Sequence, residues 1–145
     1  MKNLEIYIHI PFCVRKCEYC DFLSFPADDD TKLRYVKGLM AEMIFYGPLM
    51  KNYQVSSVYI GGGTPSSIDE QWIAALMEGV FDCFNVLPDA EISIECNPGT
   101  LSREKLLAYR DAGINRLSIG LQSANNDELK LLGRIHTFEQ FVTNY

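Results

Sequence analysis

Three cysteines near the N-terminus have the residue type and spacing of a metal-binding loop. Cys13, Cys17 and Cys20 lie in the stretch IPFCVRKCEYCDF with the spacing C-x3-C-x2-C. Structural zinc sites and ordinary [4Fe–4S] sites are closed by four protein ligands, so three thiolates leave one coordination position open for a substrate or cofactor. The spacing alone allows a reactive iron–sulfur centre, a zinc site completed by His9 or a remote cysteine, or three unrelated thiols.

A second candidate for ligand binding is the segment GGGTP, residues 61–65, which directly follows an apolar run. Consecutive glycines let a backbone approach a ligand closely. The segment lacks the lysine of a Walker motif and does not match G-x-G-x-x-G. By itself it is as typical of a turn as of a binding loop. Beside a three-cysteine loop, it indicates a cradle for a polar small molecule.

The elements that must position these residues alternate between strand and helix patterns. The sequence predicts strands over 4–10, 55–60, 91–96 and 116–122, and helices over 31–46, from 67 to about 81, from 102, around 126–132 and from 137. This alternation predicts an α/β fold with a parallel sheet and outer helices. Four βα units are half of an eightfold barrel. We therefore expect residues 1–145 to be the N-terminal portion of a single core domain, truncated before its C-terminal strands and a further domain.

Capping signals predict where three of these helices begin. Asp30 is the predicted N-cap of the first helix. Ser67 with Glu70, and Thr137 with Gln140, have the spacing of capping boxes. The last helix has a start signal and no stop signal before the chain ends, which favours the interpretation that the unit is incomplete.

Alternation along the strands predicts one apolar face, covered by helices, and one polar face. The polar face carries four candidate side chains near the C-terminal strand ends, Tyr7, His9, Glu95 and Gln122. Ligands bind at that end in parallel α/β folds. An alternating strand more often has a merely solvated face. Three strands placing polar groups beside the cysteine loop favour a binding site.

Composition and charge bound the class of protein. The net charge of −6 over 145 residues argues against a nucleic-acid binder, which would need a basic face. No stretch approaches the roughly 20 apolar residues of a transmembrane segment, and the N-terminus does not read as a signal peptide. Five cysteines in such a chain predict a cytoplasmic protein, where cysteines bind metal more often than they form disulfides. Cys83 and Cys96 are interpreted as buried small side chains.

Four segments together resemble the radical S-adenosylmethionine (SAM) superfamily. They are YIHIPFC with the cysteine triad, GGGTP, IECNPGT and RLSIGLQS, each at the end of a predicted strand. Their combination resembles the HemN/HemW group, the oxygen-independent coproporphyrinogen III oxidases and their heme-chaperone relatives. The resemblance covers nearly the whole chain and implies the N-terminal part of a (βα) partial TIM barrel.

The resemblance also implies a role for each matching residue. Cys13, Cys17 and Cys20 would ligate three irons of a [4Fe–4S] cluster, and SAM would bind the fourth. Tyr7 matches a tyrosine close to the cluster and is the candidate catalytic residue. The SAM contacts would come from Tyr19 at the adenine, Gly62, Gly63 and Thr64 at the methionine amino end, Glu95 at the ribose, and Gln122 and Arg134 at the ribose and the methionine carboxylate. A reduced cluster in this family donates an electron to SAM, and the resulting 5′-deoxyadenosyl radical abstracts hydrogen.

Two departures from the oxidases favour the heme-chaperone branch. The oxidases place a further cysteine two positions after the third cluster cysteine, where this sequence has Phe22, and their segment before the cluster is longer. The sequence therefore predicts a HemW-type chaperone whose partners are SAM, heme or a porphyrinogen, and heme-accepting proteins. A coproporphyrinogen III oxidase and a zinc-binding structural module are the alternatives. We also expect the chain to be inactive alone, or to associate through the sheet edge beyond its fourth strand.

Overall fold

In the residues that the structure describes, four strands form one sheet: β1 (Lys2–Ile10), β2 (Tyr53–Gly62), β3 (Val86–Cys96) and β4 (Arg116–Ile119). They lie in the order β1-β2-β3-β4 and every neighbouring pair is parallel. The structure is a computed structural model that describes residues 1–15, 17–21 and 23–145. The observed order confirms the predicted α/β fold, because sequential parallel strands joined by crossover helices are the expected product of alternating βα units.

The described part of the chain also forms five helices, one after each of β1, β2 and β3 and two after β4: α1 (Asp29–Tyr46), α2 (Glu70–Cys83), α3 (Arg103–Asp111), α4 (Asn126–Leu131) and α5 (Phe138–Asn144). Two short 3-10 turns cover Gly47–Met50 and Pro65–Ser67. The first three helices contribute to a single apolar cluster with the sheet, and α2 packs between α1 and α3. Within the described ranges, no helix is long and apolar enough to cross a membrane.

The apolar face of the sheet is buried as the alternation predicts. Ile10, Ile60 and Ile94, one from each of β1, β2 and β3, are fully buried beneath the helices. Leu117 on β4 departs from this pattern, because 39% of its surface is exposed. β4 is the last strand of the sheet, and the cluster formed with α1, α2 and α3 takes its buried strand residues from β1, β2 and β3.

The structure corrects the predicted start of α1 and confirms that of α5. The N-cap of α1 is Asp28, not Asp30, because the Asp28 carboxylate accepts the Thr31 N–H at 2.8 Å. Three consecutive aspartates compete for this role, and the first one has the extended backbone of a cap. The capping box of Thr137 and Gln140 is confirmed, with both reciprocal hydrogen bonds present.

The capping box predicted for α2 is wrong. Ser67 belongs to the 3-10 turn that begins at Pro65, and its hydroxyl donates to the Thr64 carbonyl at 2.7 Å. Asp69 takes the role of N-cap by accepting a backbone N–H with its side chain, and Glu70 is the first helical residue. The turn that begins at the proline after the glycines engages the Ser67 hydroxyl in a hydrogen bond, so this hydroxyl does not cap α2.

β4 is shorter than predicted, and this changes the place of one candidate site residue. The strand ends at Ile119 and not at 122. Beyond it the Gly120 N–H donates to the Cys96 carbonyl at 3.0 Å, and Gln122 adopts a left-handed conformation with φ of 71°. Gln122 therefore lies in the loop after the strand, on the exposed side of the cleft rather than on the pleated face.

Candidate functional site

A cleft lies at the C-terminal ends of the strands, and it gathers every predicted site residue except Tyr7 and His9. The predicted residues in its lining are Cys13, Cys17, Tyr19, Cys20, Gly62, Gly63, Thr64, Glu95, Gln122 and Arg134. Its volume is about 210 Å³. A single water needs only about 10–15 Å³ by a comparable measure, so the cleft has room for a ligand of many atoms rather than for one ion.

The cysteine loop between β1 and α1 is tied down at its base. Phe12 is buried and forms an isolated parallel bridge with Phe25, and the Cys13 N–H donates to the Phe25 carbonyl at 3.2 Å. A turn closes the loop where the Cys20 N–H donates to the Cys17 carbonyl at 3.0 Å. All three thiols are partly exposed and free of disulfides. The loop therefore presents three soft donors on the rim of one cleft.

The thiols and the residues around them are of the chemical types that suit a bound cluster, although the thiols do not lie in the arrangement of a metal site. In residues 1–15, 17–21 and 23–145, no three His, Cys, Asp or Glu side chains are grouped closely enough to hold a metal ion. A Cβ at Gly63 would lie 3.0 Å from the Cys13 sulfur and 2.5 Å from the Phe12 carbonyl oxygen. Glycine is thus required for the close approach of this backbone to a cysteine thiol.

Cys96 and His9 are poor candidates for a fourth protein ligand. Burial raises the pKa of the Cys96 thiol to about 12, so forming the thiolate that a metal binds costs more there than at an ordinary cysteine. His9 has both ring nitrogens occupied, Nδ1 with the Tyr7 hydroxyl at 3.1 Å and Nε2 with the Leu23 carbonyl at 3.1 Å. Both observations argue against a closed zinc site built on the triad.

The GGGTP segment runs beside the start of the cysteine loop. Gly62 pairs with the end of β1 and has φ of 119°, a conformation that favours glycine. The Gly63 N–H donates to the Ile10 carbonyl at 2.8 Å, and the Thr64 N–H donates to the Phe12 carbonyl at 2.7 Å. These bonds extend the pairing of β1 and β2 into the cleft. They bring the buried Thr64 hydroxyl to 3.4 Å from the Cys13 sulfur.

Glu95 is held by two donors and keeps acceptor capacity for a ligand. Its Oε1 accepts from the Tyr59 hydroxyl at 2.8 Å, and its Oε2 accepts from the Gly62 N–H at 3.1 Å. Burial, and then the hydrogen bond to Glu95, raises the pKa of Tyr59, so the phenol remains a donor. A carboxylate has about four acceptor sites, so about two remain available.

Arg134 crosses the cleft from the turn after α4. Its Nη2 donates to the Asn97 Oδ1 at 3.0 Å and to the Gly120 carbonyl at 2.9 Å. Its Nη1 lies 3.3 Å from the Tyr19 hydroxyl and 3.6 Å from the Cys17 sulfur. Its Nε is buried and has no hydrogen-bond partner in the part of the chain that the structure describes. Arg134 therefore brings positive charge to the cysteine loop.

Tyr7 lies outside the cleft lining, on the open face of β1. It is 57% exposed, and its ring stacks on Tyr59 with centroids 6.2 Å apart. Phe22, the position that separates the two branches of the resembling family, lies outside the described residues, so the comparison at that position rests on sequence alone.

Two residues that the sequence interpretation did not single out complete the site. Asn97 contacts both Thr64 and Arg134, and Tyr59 holds Glu95. Each had a signal in the sequence. Tyr59 is the polar-face residue in the alternating VYI of β2, and Asn97 is the first residue after β3, where parallel sheets place ligand-binding side chains.

Sequence comparison places this site in a known family context. A profile of the radical SAM superfamily matches residues 7–145. The chain is 42% identical over 139 residues to the heme chaperone HemW of Escherichia coli, covering 92% of this chain and 35% of that protein. It is 39% identical over 138 residues to the mitochondrial radical S-adenosyl methionine domain-containing protein 1 of Bos taurus, covering 94% of this chain and 31% of that protein.

Structure comparison gives the same result. Coproporphyrinogen III oxidase HemN from Escherichia coli, described as a radical SAM enzyme, superposes with a TM-score of 0.89 at 32% identity. The match covers 98% of this chain and 33% of HemN. The chain thus spans about a third of the length of these relatives. The predicted fold and the predicted resemblance are both confirmed.

Proposed function

Because the chain belongs to the radical SAM superfamily, we propose that Cys13, Cys17 and Cys20 hold a [4Fe–4S] cluster and that the cleft beside them binds SAM. One observation carries the proposal: the three thiols, the glycine-rich backbone, the Glu95 carboxylate and the Arg134 guanidinium line a single cleft. Cluster and SAM, when bound, supply one-electron chemistry that generates a carbon radical, and the protein supplies binding, orientation and electrostatics.

The polar groups of the cleft match the functional groups of SAM. The remaining acceptor sites of Glu95 suit the two ribose hydroxyls. The guanidinium of Arg134, which lines the cleft, suits the methionine carboxylate, because guanidinium binds carboxylate by charge-assisted hydrogen bonds. Tyr19 is 48% exposed at the cleft and offers a ring face to the adenine. The backbone of Gly62, Gly63 and Thr64 would receive the methionine amino end, with Gln122 at the ribose.

For the whole protein we propose a HemW-type heme chaperone that binds heme and passes it to heme-accepting proteins. The identity of 42% to a protein named heme chaperone HemW supports this branch. So does Phe22, which stands where the resembling oxidases have a further cysteine. Heme would be bound with the help of parts of the protein beyond the third of its relatives' length that this chain spans.

A coproporphyrinogen III oxidase is the second candidate. The observation that favours it is the TM-score of 0.89 to HemN over 98% of this chain. In this case the radical chemistry would act on the propionate side chains of coproporphyrinogen III and give protoporphyrinogen IX. The fold of this chain is compatible with either role, because a heme chaperone and a coproporphyrinogen III oxidase both match it over more than 90% of its length.

Anaerobic reconstitution of the full-length protein tests the cluster. We expect iron and sulfide in a ratio near that of a [4Fe–4S] cluster, with visible absorption that bleaches on addition of dithionite. Cys13→Ser, Cys17→Ser and Cys20→Ser should each lose most of this absorption, whereas the matched control Cys83→Ser should keep it. A colourless protein that carries stoichiometric zinc contradicts the proposal.

Substrate assays separate the chaperone from the oxidase. The reconstituted full-length protein is incubated with heme, and separately with coproporphyrinogen III and SAM under reducing conditions. A chaperone binds heme stably and passes it to an apo-acceptor protein without consuming coproporphyrinogen. Formation of protoporphyrinogen IX at catalytic rates would assign the protein to the oxidases instead.

A further inference from the structure

Asn97 lies between the two groups that approach the cysteine sulfurs. It is the first residue after β3, and its backbone N–H is fixed by donating to the Ser66 hydroxyl at 3.1 Å. Its side-chain Nδ2 donates to the Thr64 hydroxyl oxygen at 3.0 Å. Its Oδ1 accepts from the Arg134 Nη2 at 3.0 Å. One amide therefore links the glycine-rich segment to the turn that carries Arg134.

The chemistry of these partners determines which atom donates in each hydrogen bond of the series that runs from Arg134 through Asn97 and Thr64 to Cys13. A guanidinium only donates, so the Asn97 atom that faces Arg134 must be the oxygen. The Asn97 NH2 group then faces Thr64, and the Thr64 hydroxyl oxygen must accept from it. The hydroxyl hydrogen of Thr64 is left free to point at the Cys13 sulfur, 3.4 Å away.

The other end of the amide orients a second donor. The Asn97 oxygen and the Gly120 carbonyl together hold the Nη2 of Arg134, at 3.0 and 2.9 Å. With Nη2 held by these two hydrogen bonds, the Nη1 of Arg134 lies 3.6 Å from the Cys17 sulfur, within the range of a hydrogen bond to sulfur. Two of the three thiols of the loop thus each face a donor that Asn97 positions.

We propose that Asn97 is a positioning residue that raises the reduction potential of the cluster. It does so by holding Thr64 and Arg134 as donors to the sulfurs of Cys13 and Cys17. Reduction adds negative charge to a cluster and its ligating sulfurs, and donors aimed at those sulfurs stabilise the added charge. This inference rests on the proposed function, in which these sulfurs ligate the cluster.

A double-mutant cycle in the reconstituted full-length protein tests the inference by redox titration. Asn97→Asp keeps an acceptor for Arg134 but has no donor for Thr64, so the Thr64 hydroxyl turns its hydrogen to the introduced carboxylate. Thr64→Val should therefore lower the reduction potential in the wild-type background and leave it nearly unchanged in the Asn97→Asp background. The cycle cancels the direct effect of the added charge, because that charge is present in both members of the second pair.

A neutral variant and a matched control complete the design. Asn97→Leu removes both contacts without adding charge and should lower the potential. Asn115 uses its amide in the same way, accepting from the Ile92 N–H and donating to the Ala90 carbonyl, each at 2.9 Å, but it does not line the cleft. Asn115→Leu should lower thermal stability and leave the potential unchanged, which separates a loss of packing from a loss of sulfur donors.

The outcomes distinguish this inference from the proposed function. A Thr64→Val shift of equal size in both backgrounds, or an unchanged potential in Asn97→Leu, overturns the inference while the cluster-binding proposal stands. A wild-type protein that takes up no cluster overturns the proposed function and the inference together.

Discussion

Glu95 is the SAM-binding candidate whose surroundings the fold fixes most firmly. Gln in its place would present an NH2 group to either the Tyr59 hydroxyl or the Gly62 N–H, both of which donate to the present carboxylate. Hydrogen bonds to charged groups contribute about 1.5–3 kcal/mol. We therefore expect Glu95→Gln in the cluster-loaded full-length protein to weaken SAM binding by roughly 10- to 100-fold.

Isothermal titration calorimetry measures this effect, with Tyr59→Phe as the control. That control removes one donor to Glu95 and keeps the carboxylate, so its loss of SAM affinity should be smaller. Equal affinities of the Glu95→Gln and wild-type proteins would show that the carboxylate does not contact the ligand.

Cys96 should not react with thiol-alkylating reagents in the folded protein, in contrast to the loop cysteines. It is 3% exposed and burial raises its pKa to about 12, so almost no thiolate forms at pH 8. In cluster-free protein treated with iodoacetamide, mass spectrometry should find Cys13, Cys17 and Cys20 modified first. Cys96 should react only after denaturation, and its modification at the rate of the loop thiols would contradict the buried environment.

His136 predicts a pH dependence of stability. Burial, and then the charge of Arg134, lowers the pKa of His136 below its ordinary 6.5. Below pH 6.5 His136 is therefore protonated in the unfolded chain while it stays neutral in the folded chain. The free energy of unfolding decreases as the pH falls towards the lowered pKa. Above pH 6.5 both states are neutral and the contribution is complete.

Urea unfolding between pH 7.5 and 5.5 measures this contribution in wild type and in His136→Gln. Other groups titrate equally in both proteins, so the difference between their midpoints isolates the histidine. That difference should change across the window, and a constant difference would contradict the lowered pKa.

At the scale of elements, two glycines should respond oppositely to the same change. Gly38 is exposed in the middle of α1, and a Cβ there would meet no atom within 4 Å. Gly38→Ala should raise the free energy of unfolding by about 0.5–1 kcal/mol, since glycine costs a helix interior that much relative to alanine. Gly63→Ala should lower it, because the added Cβ would press on the Phe12 carbonyl. Chemical denaturation of the two variants checks both signs.

The elements themselves were largely predictable from periodicity, whereas their ends were not. Helical spacing and strict alternation show which side of an element is apolar. The sheet and α1 to α3 bury those apolar sides against each other in one cluster. The end of β4 escaped prediction because the alternation of RLSIGLQ continues past Ile119. The strand stops there because its neighbour β3 ends at Cys96, the residue that pairs with Ile119, and where β3 ends depends on a distant part of the sequence.

The same distinction applies to the site. The cysteine triad and GGGTP were visible because their spacing is local. Asn97 was missed because its role depends on Thr64 and Arg134, which lie 33 and 37 residues away in sequence and meet it only in the folded sheet.

At the scale of the whole molecule, the sheet of the described residues has two edge strands, β1 and β4, and each pairs with a single neighbour. The unpaired backbone groups of an edge strand can pair with another chain. We expect a protein limited to residues 1–145 to associate as its concentration rises, as measured by light scattering after gel filtration. Leu117→Lys, at the exposed β4, should reduce association, and a monomer at all concentrations would contradict the expectation.

The contact between Arg134 and Cys17 spans 117 residues, and this has a consequence for how the protein is made. Synthesis proceeds at about 5–20 residues per second, so the Cys17 thiol leaves the ribosome roughly 6–23 s before the arginine that covers it. Closing so long a loop also carries an entropic cost before any contact rewards it. The nascent cysteine loop is therefore open to oxidants until the turn after α4 folds over it.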